Sequence, residues 1–291
     1  MEPWYEICYC STEARSGMTG IALLTGATGF VGRQVLRALV EHGVSVRVVV
    51  REGKQDQLSS LEGIESIALT KDIFNENADW WANICQDVDT VIHVAWYVEP
   101  GKYLQSEKNL DCLEGTLQMA KGSAQAGVRR FIGIGTCFEY QLSTDVLSVE
   151  TPLQPLTPYA GAKAATFMAL SQWLPLQGVQ FAWCRLFYLY GEGEDAQRLV
   201  PYLRGRLAAQ EAALLTSGRQ IRDFLDVREA GRMIVKVALS EDQGPFNICS
   251  GVGITIRELA EKIADEYGRR DLLRFGARPE NLIDPECVIG R

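Results

Sequence analysis

The stretch that most restricts what this chain can become is residues 21–40, Ile-Ala-Leu-Leu-Thr-Gly-Ala-Thr-Gly-Phe-Val-Gly-Arg-Gln-Val-Leu-Arg-Ala-Leu-Val. Its first four residues form a short apolar run of the kind a buried strand carries. Val31, Val35, Leu36 and Leu39 then repeat at helical spacing. Between the two, Gly26, Gly29 and Gly32 fall three apart. The pattern predicts a strand, a tight turn and a helix. Gly26 permits the turn, Gly29 lets a pyrophosphate approach the backbone, and Gly32 lets the helix pack close to the strand. Exposed amides and the helix dipole at such a start favour a dianion. Glycines at this spacing also occur in ordinary strand–helix turns. The position, after the first strand and before an amphipathic helix, is what favours a dinucleotide site, with Thr28, Phe30 and Val31 completing the loop.

With 291 residues, the chain is long enough for one large α/β domain or a nucleotide domain with a smaller partner. A net charge of −8 and the lack of any basic run argue against a nucleic-acid or anionic-membrane partner. No apolar run approaches the roughly 18 residues of a membrane span, so a cytoplasmic location is the default expectation. Eight cysteines include no Cys-x-x-Cys pair, and with only two histidines, His42 and His93, no metal site is expected. The cysteines read as reduced, mostly buried small hydrophobes. Residues 1–17 carry acids and no hydrophobic segment, unlike a signal peptide. They read as an extension outside the fold, an upstream start or an expression remnant before Met18.

Residues 45–50 form a second β-branched run, ending in Arg51-Glu52-Gly53-Lys54. An acid at the end of this strand holds a ribose 2′-hydroxyl, whereas a base accommodates a 2′-phosphate. Arg51, with Arg33 as a second cation, favours NADP(H) over NAD(H); Glu52 leaves NAD(H) open. A third strand over 65–69 leads into Lys71-Asp72-Ile73, where Asp72 reads either as an adenine contact or as a turn former. The fourth strand, 89–95, holds His93 among apolar neighbours, as a core histidine would be. It ends at Ala95, beside the expected cofactor path. Trp96 and Tyr97 open the following loop and either line a substrate pocket or pack. Helices over 109–126 and 160–174 alternate with strands over 129–135 and 179–187. This rhythm predicts a doubly wound parallel α/β sheet. Beyond Gly191 the rhythm changes, which divides the chain into a dinucleotide-binding domain, 18–190, and a smaller α+β carboxyl-terminal substrate lobe, 191–291, sharing parts of the sheet.

A second cluster is Pro158-Tyr-Ala-Gly-Ala-Lys163. Tyr159 and Lys163, four apart on a helix, share a face. An adjacent ammonium favours phenolate and is expected to pull the tyrosine toward neutral pH, where it exchanges a proton with a hydroxyl or ketone. An exposed helix pair has the same spacing. Thr136, closing the fifth strand, offers a hydroxyl to the same substrate oxygen.

These three pieces make the chain resemble the extended short-chain dehydrogenase/reductase family, in its nucleotide-sugar epimerase/dehydratase branch, over about residues 19–285. Residues 25–32 resemble its glycine motif. Thr136 stands four before Tyr140, as the family's catalytic Ser/Thr stands before the tyrosine of "VYG", and Tyr159 and Lys163 are similar to its base pair. Residues 185–191, Arg-Leu-Phe-Tyr-Leu-Tyr-Gly, are similar to "RxFNxYG". Residues 222–227, Arg-Asp-Phe-Leu-Asp-Val, resemble "RDFxHV", whose arginine grips the sugar nucleotide's pyrophosphate. Arg278 looks like the second phosphate arginine. The resemblance implies a Rossmann fold, a Thr136–Tyr159–Lys163 catalytic set, and cofactor contacts from the glycine loop, Arg51, Asp72, Ile73, Ala95, Tyr159 and Lys163. It further implies substrate contacts from Trp96, Tyr188, Arg222 and Arg278. A homodimer is implied through the helices over 109–126 and 160–174, where Ala160, Ala162, Ala164, Ala165 and Ala169 permit close approach.

The departures narrow the activity. Dehydratases of the family follow the catalytic Ser/Thr with Asp-Glu; Cys137-Phe138 stand here, against a 4,6-dehydratase. The 3,5-epimerase/reductase type has its cysteine two positions after the Ser/Thr, so Cys137 is expected to pack. Cys112 replaces a helical asparagine, and Tyr188 replaces the asparagine of "FN". The expectation is an NADP(H)-dependent reductase of a nucleotide-activated 4-keto-6-deoxyhexose, acting at C4. The alternative is a nucleotide-sugar 4-epimerase with tightly held NAD, and a cofactor-sensing protein without turnover is a third reading.

Overall fold

The computed structural model describes residues 20–58, 63–142, 146–280 and 285–291. The amino-terminal extension lies outside the described residues, as do Cys8 and Cys10. In chain order the elements are β1 (Ile21–Thr25), α1 (Phe30–Glu41), β2 (Val46–Arg51), β3 (Ile64–Thr70), α2 (Ala78–Ile84), β4 (Val88–His93), α3 (Lys108–Gln125), β5 (Arg130–Thr136), α4 (Pro158–Trp173), β6 (Gln180–Leu186) and β7 (Tyr188–Tyr190). There follow α5 (Leu199–Ala208), β8 (Ala213–Leu214), β9 (Ile221–Asp226), α6 (Val227–Leu239), β10 (Gly244–Ile248), β11 (Gly253–Thr255), α7 (Ile256–Glu266), β12 (Leu273–Arg274) and β13 (Cys287–Val288).

Seven strands form a parallel sheet in the order β10-β6-β5-β4-β1-β2-β3. The chain winds outward from β1 in both directions, so the topological switch lies between β1 and β4, where ligands of such sheets bind at the strands' carboxyl ends. The inner strands β1, β2, β4, β5 and β6 are buried on both faces and read as near-continuous apolar runs, whereas the edge strand β3 alternates with exposed residues. One face packs α1 and α6 around Leu24, Val35, Leu39, Ile92, Ile132 and Ile234. The other packs α2, α3 and α4 around Trp81, Met119, Phe131, Leu170 and Trp183. Although they follow Gly191, α6 and β10 belong to this main body: α6 lies on α1, and β10 pairs with β6. A second core gathers Val200, Leu203, Ala213, Ile263 and Leu273 from α5, β8, α7 and β12. Strand β9 is bordered by β7, β11 and β13, and the buried Asp223 carboxylate accepts from Ser250, Gly251 and Gly290 to tie three late segments together.

Two local signals fix the register of the site. Gly26 has φ +74°, and a Cβ there would stand 2.8 Å from the Ala95 amide nitrogen, so the turn after β1 lies against the end of β4. At Gly32 a Cβ would meet the Gly26 carbonyl oxygen at 2.1 Å, which only glycine avoids. The start of α4 is set by Thr157, whose hydroxyl accepts from the Ala160 amide at 3.2 Å, followed by Pro158 in the first turn. That start turns Tyr159, Ala162, Lys163, Thr166 and Leu170 inward. Ala160, Ala162 and Ala164 are likewise buried within the chain, leaving Ala165 half-buried and Ala169 exposed.

Candidate active site

The carboxyl ends of β1, β4 and β5 and the start of α4 converge on one place. Helix α1 is preceded by Gly29 at its N-cap, which is exposed and offers no side-chain cap, so the first helical amides point at the turn. The Gly29 amide donates to the Gly26 carbonyl at 2.9 Å. Thr28, Phe30 and Val31 are half-buried around this turn. Such a glycine cradle fits a pyrophosphate, because each missing Cβ is space that backbone or ligand fills.

Behind the turn runs a chain of hydrogen bonds. The Ala95 amide donates to Thr25 Oγ1 at 3.2 Å; Thr25 and Thr116 flank the His93 ring at 2.9 Å each; and the Thr116 hydroxyl donates to the Cys112 carbonyl at 2.7 Å. Thr116 has its proton on Cys112, so it accepts from His93 Nε2–H, and Nδ1 accepts from Thr25. His93 is therefore a neutral core residue. Burial and the neighbouring Lys163 push its pKa down to about 3.

Thr136 closes β5 with its hydroxyl accepting from the Phe138 amide at 3.3 Å. That hydroxyl neighbours the Tyr159 phenol and is the one of its principal neighbours that favours the ionised form. Tyr159 is 9% exposed, and the Tyr103 ring stands edge-on to it at 4.8 Å. Lys163, 3% exposed, donates to the Ile134 carbonyl at 2.6 Å and lies 3.7 Å over the Trp96 ring. Trp96 is held there by its indole N–H on Asn109 at 2.9 Å.

The sequence expectation for the phenol is corrected here. Burial, and after it Tyr103, push the Tyr159 phenol well above its ordinary range, while the Lys163 amine is engaged with a carbonyl and a ring face. Burial lowers Lys163 itself to about 7, against the opposing attraction of Glu139.

Around this centre the other predicted residues take different stations. Arg51 ends β2 exposed. Asp72 is exposed and accepts from the Phe74 amide and the Asn75 side chain, the arrangement of a turn former. Ile73 is buried. Tyr188 packs on Phe138 and Phe224. Arg222 is buried and donates to the carbonyls of Ile221, Pro285 and Glu286 at 2.8, 2.7 and 3.4 Å, with Tyr188 beneath it. Arg278 is exposed, 4.7 Å over the Tyr202 ring. Cys137 packs in a small apolar cluster with Tyr140, Leu147, Phe187 and Val288, and burial drives its thiol up to about 12, an inert state.

With that geometry in view, a model for the NAD-dependent epimerase/dehydratase family matches residues 22–249. The chain belongs to this family. It is 24% identical over 270 residues to a dTDP-6-deoxy-L-talose 4-dehydrogenase (NAD(+)) of Aggregatibacter actinomycetemcomitans, covering 92% of this chain and 98% of that protein. A UDP-glucose 4-epimerase of Mycolicibacterium smegmatis is 25% identical over 272 residues, 87% and 84% of the two chains. Among solved structures, the UDP-glucose 4-epimerase of Thermotoga maritima superposes with a TM-score of 0.81 at 22% identity, covering 93% and 89%. The dTDP-glucose 4,6-dehydratase of Streptomyces venezuelae with NAD bound gives 0.79 at 21%, covering 93% and 88%.

Within this epimerase/dehydratase fold, four side chains near the centre lie outside what motif reading identified. Tyr103 borders Tyr159, and Arg198 lies 5.9 Å over the Tyr103 ring. Glu194, on the loop after β7, accepts from the Gly191 amide, and burial raises it to about 7. Glu139 is fully buried in an ion pair with Arg185 at 2.7 Å. Only Glu139 had a local signal: Thr136-Cys-Phe-Glu139 is a Thr-x-x-Glu capping box, and the structure forms it.

Proposed function

We propose that this chain is an NAD(P)(H)-dependent oxidoreductase of a nucleotide sugar, reducing a nucleotide-activated 4-keto-6-deoxyhexose at C4. The observation carrying the reading is the convergence of the Thr136 hydroxyl, Tyr159 phenol and Lys163 amine beside a glycine turn at the sheet's switch point. When bound, the dinucleotide supplies the hydride. Tyr159 gives its proton to the carbonyl oxygen as the carbinol forms, and Thr136 donates a hydrogen bond to the same oxygen. A phenol that burial holds neutral is already in the form reduction needs, which favours the reductase direction. Of the three N–H bonds of a protonated Lys163, one is on Ile134, and the others serve ribose hydroxyls. Arg222 and Arg278 are assigned to the diphosphate, Arg222 exchanging carbonyl partners for phosphate oxygens. Binding energy from that remote group orients the sugar. The exposed Arg51 supports NADP(H) as the dinucleotide. The dehydrogenase relative, 24% identical and named for NAD(+), makes a side-by-side titration of the two dinucleotides decisive.

A cytoplasmic homodimer belongs to the same proposal. No described helix is long and apolar enough to cross a membrane, and Leu110 on α3 and Met168 on α4 are 63% and 61% exposed. The second reading, a 4-epimerase, is supported by the epimerase relatives.

A thermal-shift screen of dTDP-, UDP-, GDP- and CDP-hexoses with NAD and NADP in parallel tests the proposal, since ligands that bind only the folded state raise its stability. The active pair should then turn over with stoichiometric dinucleotide consumption. Tyr159→Phe should lower turnover about 10²–10⁴-fold while leaving dinucleotide binding in place. Purification with tightly bound NAD and turnover without added dinucleotide would establish the epimerase instead; full activity of Tyr159→Phe would remove both.

A further inference from the structure

We propose that Glu139 is a positioning residue of this site: its buried carboxylate fixes the turn that carries Thr136 and supplies the negative charge that keeps the Lys163 ammonium at that depth. The assignment rests on the reading above for its functional consequence, and on geometry for its substance.

Glu139 is fully buried, and its carboxylate joins the Thr136 backbone to two side chains of β6. It accepts from the Thr136 amide at 2.8 Å, from the Trp183 indole N–H at 3.1 Å to each oxygen, and from Arg185 Nε at 2.7 Å. Gly135 makes room for this assembly: a Cβ there would meet Trp183 Nε1 at 2.2 Å and a Glu139 oxygen at 2.4 Å. Arg185 in turn donates to the Tyr140 hydroxyl at 3.1 Å, and Tyr140 donates to Asn247 at 2.7 Å. The carboxylate thus clamps the end of β5 to β6 and, through Asn247, to β10.

Lys163 is fixed to the Ile134 carbonyl, two residues upstream of Thr136 on the same strand. Around it stand Trp96 and His93 from β4 and its loop, Cys112 from α3, and Trp183 from β6, with Glu139 of the turn after β5 beyond the Trp183 ring. His93 is neutral and Cys112 is a protonated thiol whose pKa burial raises to about 11, so Glu139 is the anion among them. One indole lies between Glu139 and Lys163: Lys163 Nζ stands 5.9 Å from the Trp183 ring centroid, and the Trp183 N–H is on Glu139, so the carboxylate sits across that ring from the amine and raises its proton affinity against burial. The same charge disfavours phenolate at Tyr159, which keeps that group a proton donor.

The test uses Glu139→Gln, which retains an acceptor for the Thr136 amide and removes the charge, and Glu139→Asp, which keeps the charge. Lys163 is titrated in the full chain by NMR of its Cε–Nζ group, with Lys163→Met identifying the resonance. Glu139→Gln should move the midpoint down by about one pH unit or more, a tenfold smaller protonated fraction above it, and Glu139→Asp should return most of the shift. Leaving Arg185 unpaired threatens folding, so Glu139→Gln/Arg185→Met is the companion variant and should show a smaller shift in the same downward direction, since the guanidinium leaves with the carboxylate. NADPH affinity at pH 8, where the Gln variants hold less ammonium, should fall in parallel. A folded Gln variant whose Lys163 titrates at the wild-type pH would overturn the proposal. A wild-type chain that binds no dinucleotide would instead overturn the oxidoreductase reading, leaving the Lys163 titration to decide Glu139 separately.

Discussion

Replacing Lys163 with methionine should make the protein more stable while making it inactive. The lysine's pKa falls from 10.5 to about 7 because burial opposes the ammonium. At 1.36 kcal/mol per pKa unit, carrying this group at pH 7 costs up to about 5 kcal/mol. Methionine follows much the same path and needs no hydration. Against that gain, the Ile134 carbonyl loses its donor, a loss of about 1–3 kcal/mol. The net expectation is a rise of up to about 2–4 kcal/mol at pH 7, seen in urea denaturation without added dinucleotide. The pH dependence gives the sharper check. The unfolded chain holds the lysine proton more tightly than the folded one, so wild-type stability climbs as pH rises from about 7 toward 10.5. The variant lacks that climb, so its advantage should shrink by about 1.4 kcal/mol per pH unit. A variant less stable than wild type at pH 7, or an advantage that does not vary with pH, would refute the argument that burial governs this amine.

Two further outcomes follow from the turn after β1 and the histidine behind it. Gly32→Ala places a methyl 2.1 Å from the Gly26 carbonyl, so the turn must shift; a loss of about 1–3 kcal/mol and at least about tenfold weaker dinucleotide binding are expected in denaturation and fluorescence titrations. His93, with a folded pKa of about 3 against an ordinary 6.5, favours folding fully above pH 6.5, and that contribution is lost as pH falls toward 3. His93→Gln, which meets the same two hydroxyls without titrating, should flatten the acid limb of the stability curve by about 1.4 kcal/mol per pH unit; an unchanged limb would mean that other groups govern it.

What could be read in the sequence was what depends on neighbours along the chain. The Gly26–Gly29–Gly32 spacing announces strand, turn and helix because each glycine answers a local crowding. Thr157-Pro158 announces where α4 starts, and the start alone decides that Tyr159 and Lys163 turn inward together. Residues whose part is set by a distant partner carry no such mark. Glu139 and Arg185 are 46 positions apart, and Trp96 and Lys163 are 67 apart; only the folded sheet brings them together. Arg185 stood inside a recognisable motif, yet its guanidinium faces Glu139 and Tyr140. Asp72 and Arg222 could be located from the sequence, but not their present partners, a turn in one case and backbone carbonyls in the other.

The inverted proton affinity of Tyr159 shows why magnitudes must decide such cases. An ammonium about 4 Å from a phenolate gives about 4 kcal/mol at an effective dielectric constant near 20, and less with distance. Full burial of an ionisable group shifts its pKa by up to about 3–5 units, roughly 4–7 kcal/mol. Proximity on a helix face therefore prevails only for a pair that water still reaches. Here both members are buried, and the amine is itself near neutrality and turned to Ile134 and Trp96. Desolvation prevails, and the phenol stays protonated. A neutral phenol beside a threonine hydroxyl is an acid waiting for an oxygen that gains charge, which is the demand of a ketone being reduced. Oxidation of the alcohol asks the same phenol to give up its proton first, so turnover in that direction should rise with pH well above neutrality, while reduction should not. An oxidative rate flat from pH 6 to 10, with the proton step rate-limiting, would contradict this assignment of the acid.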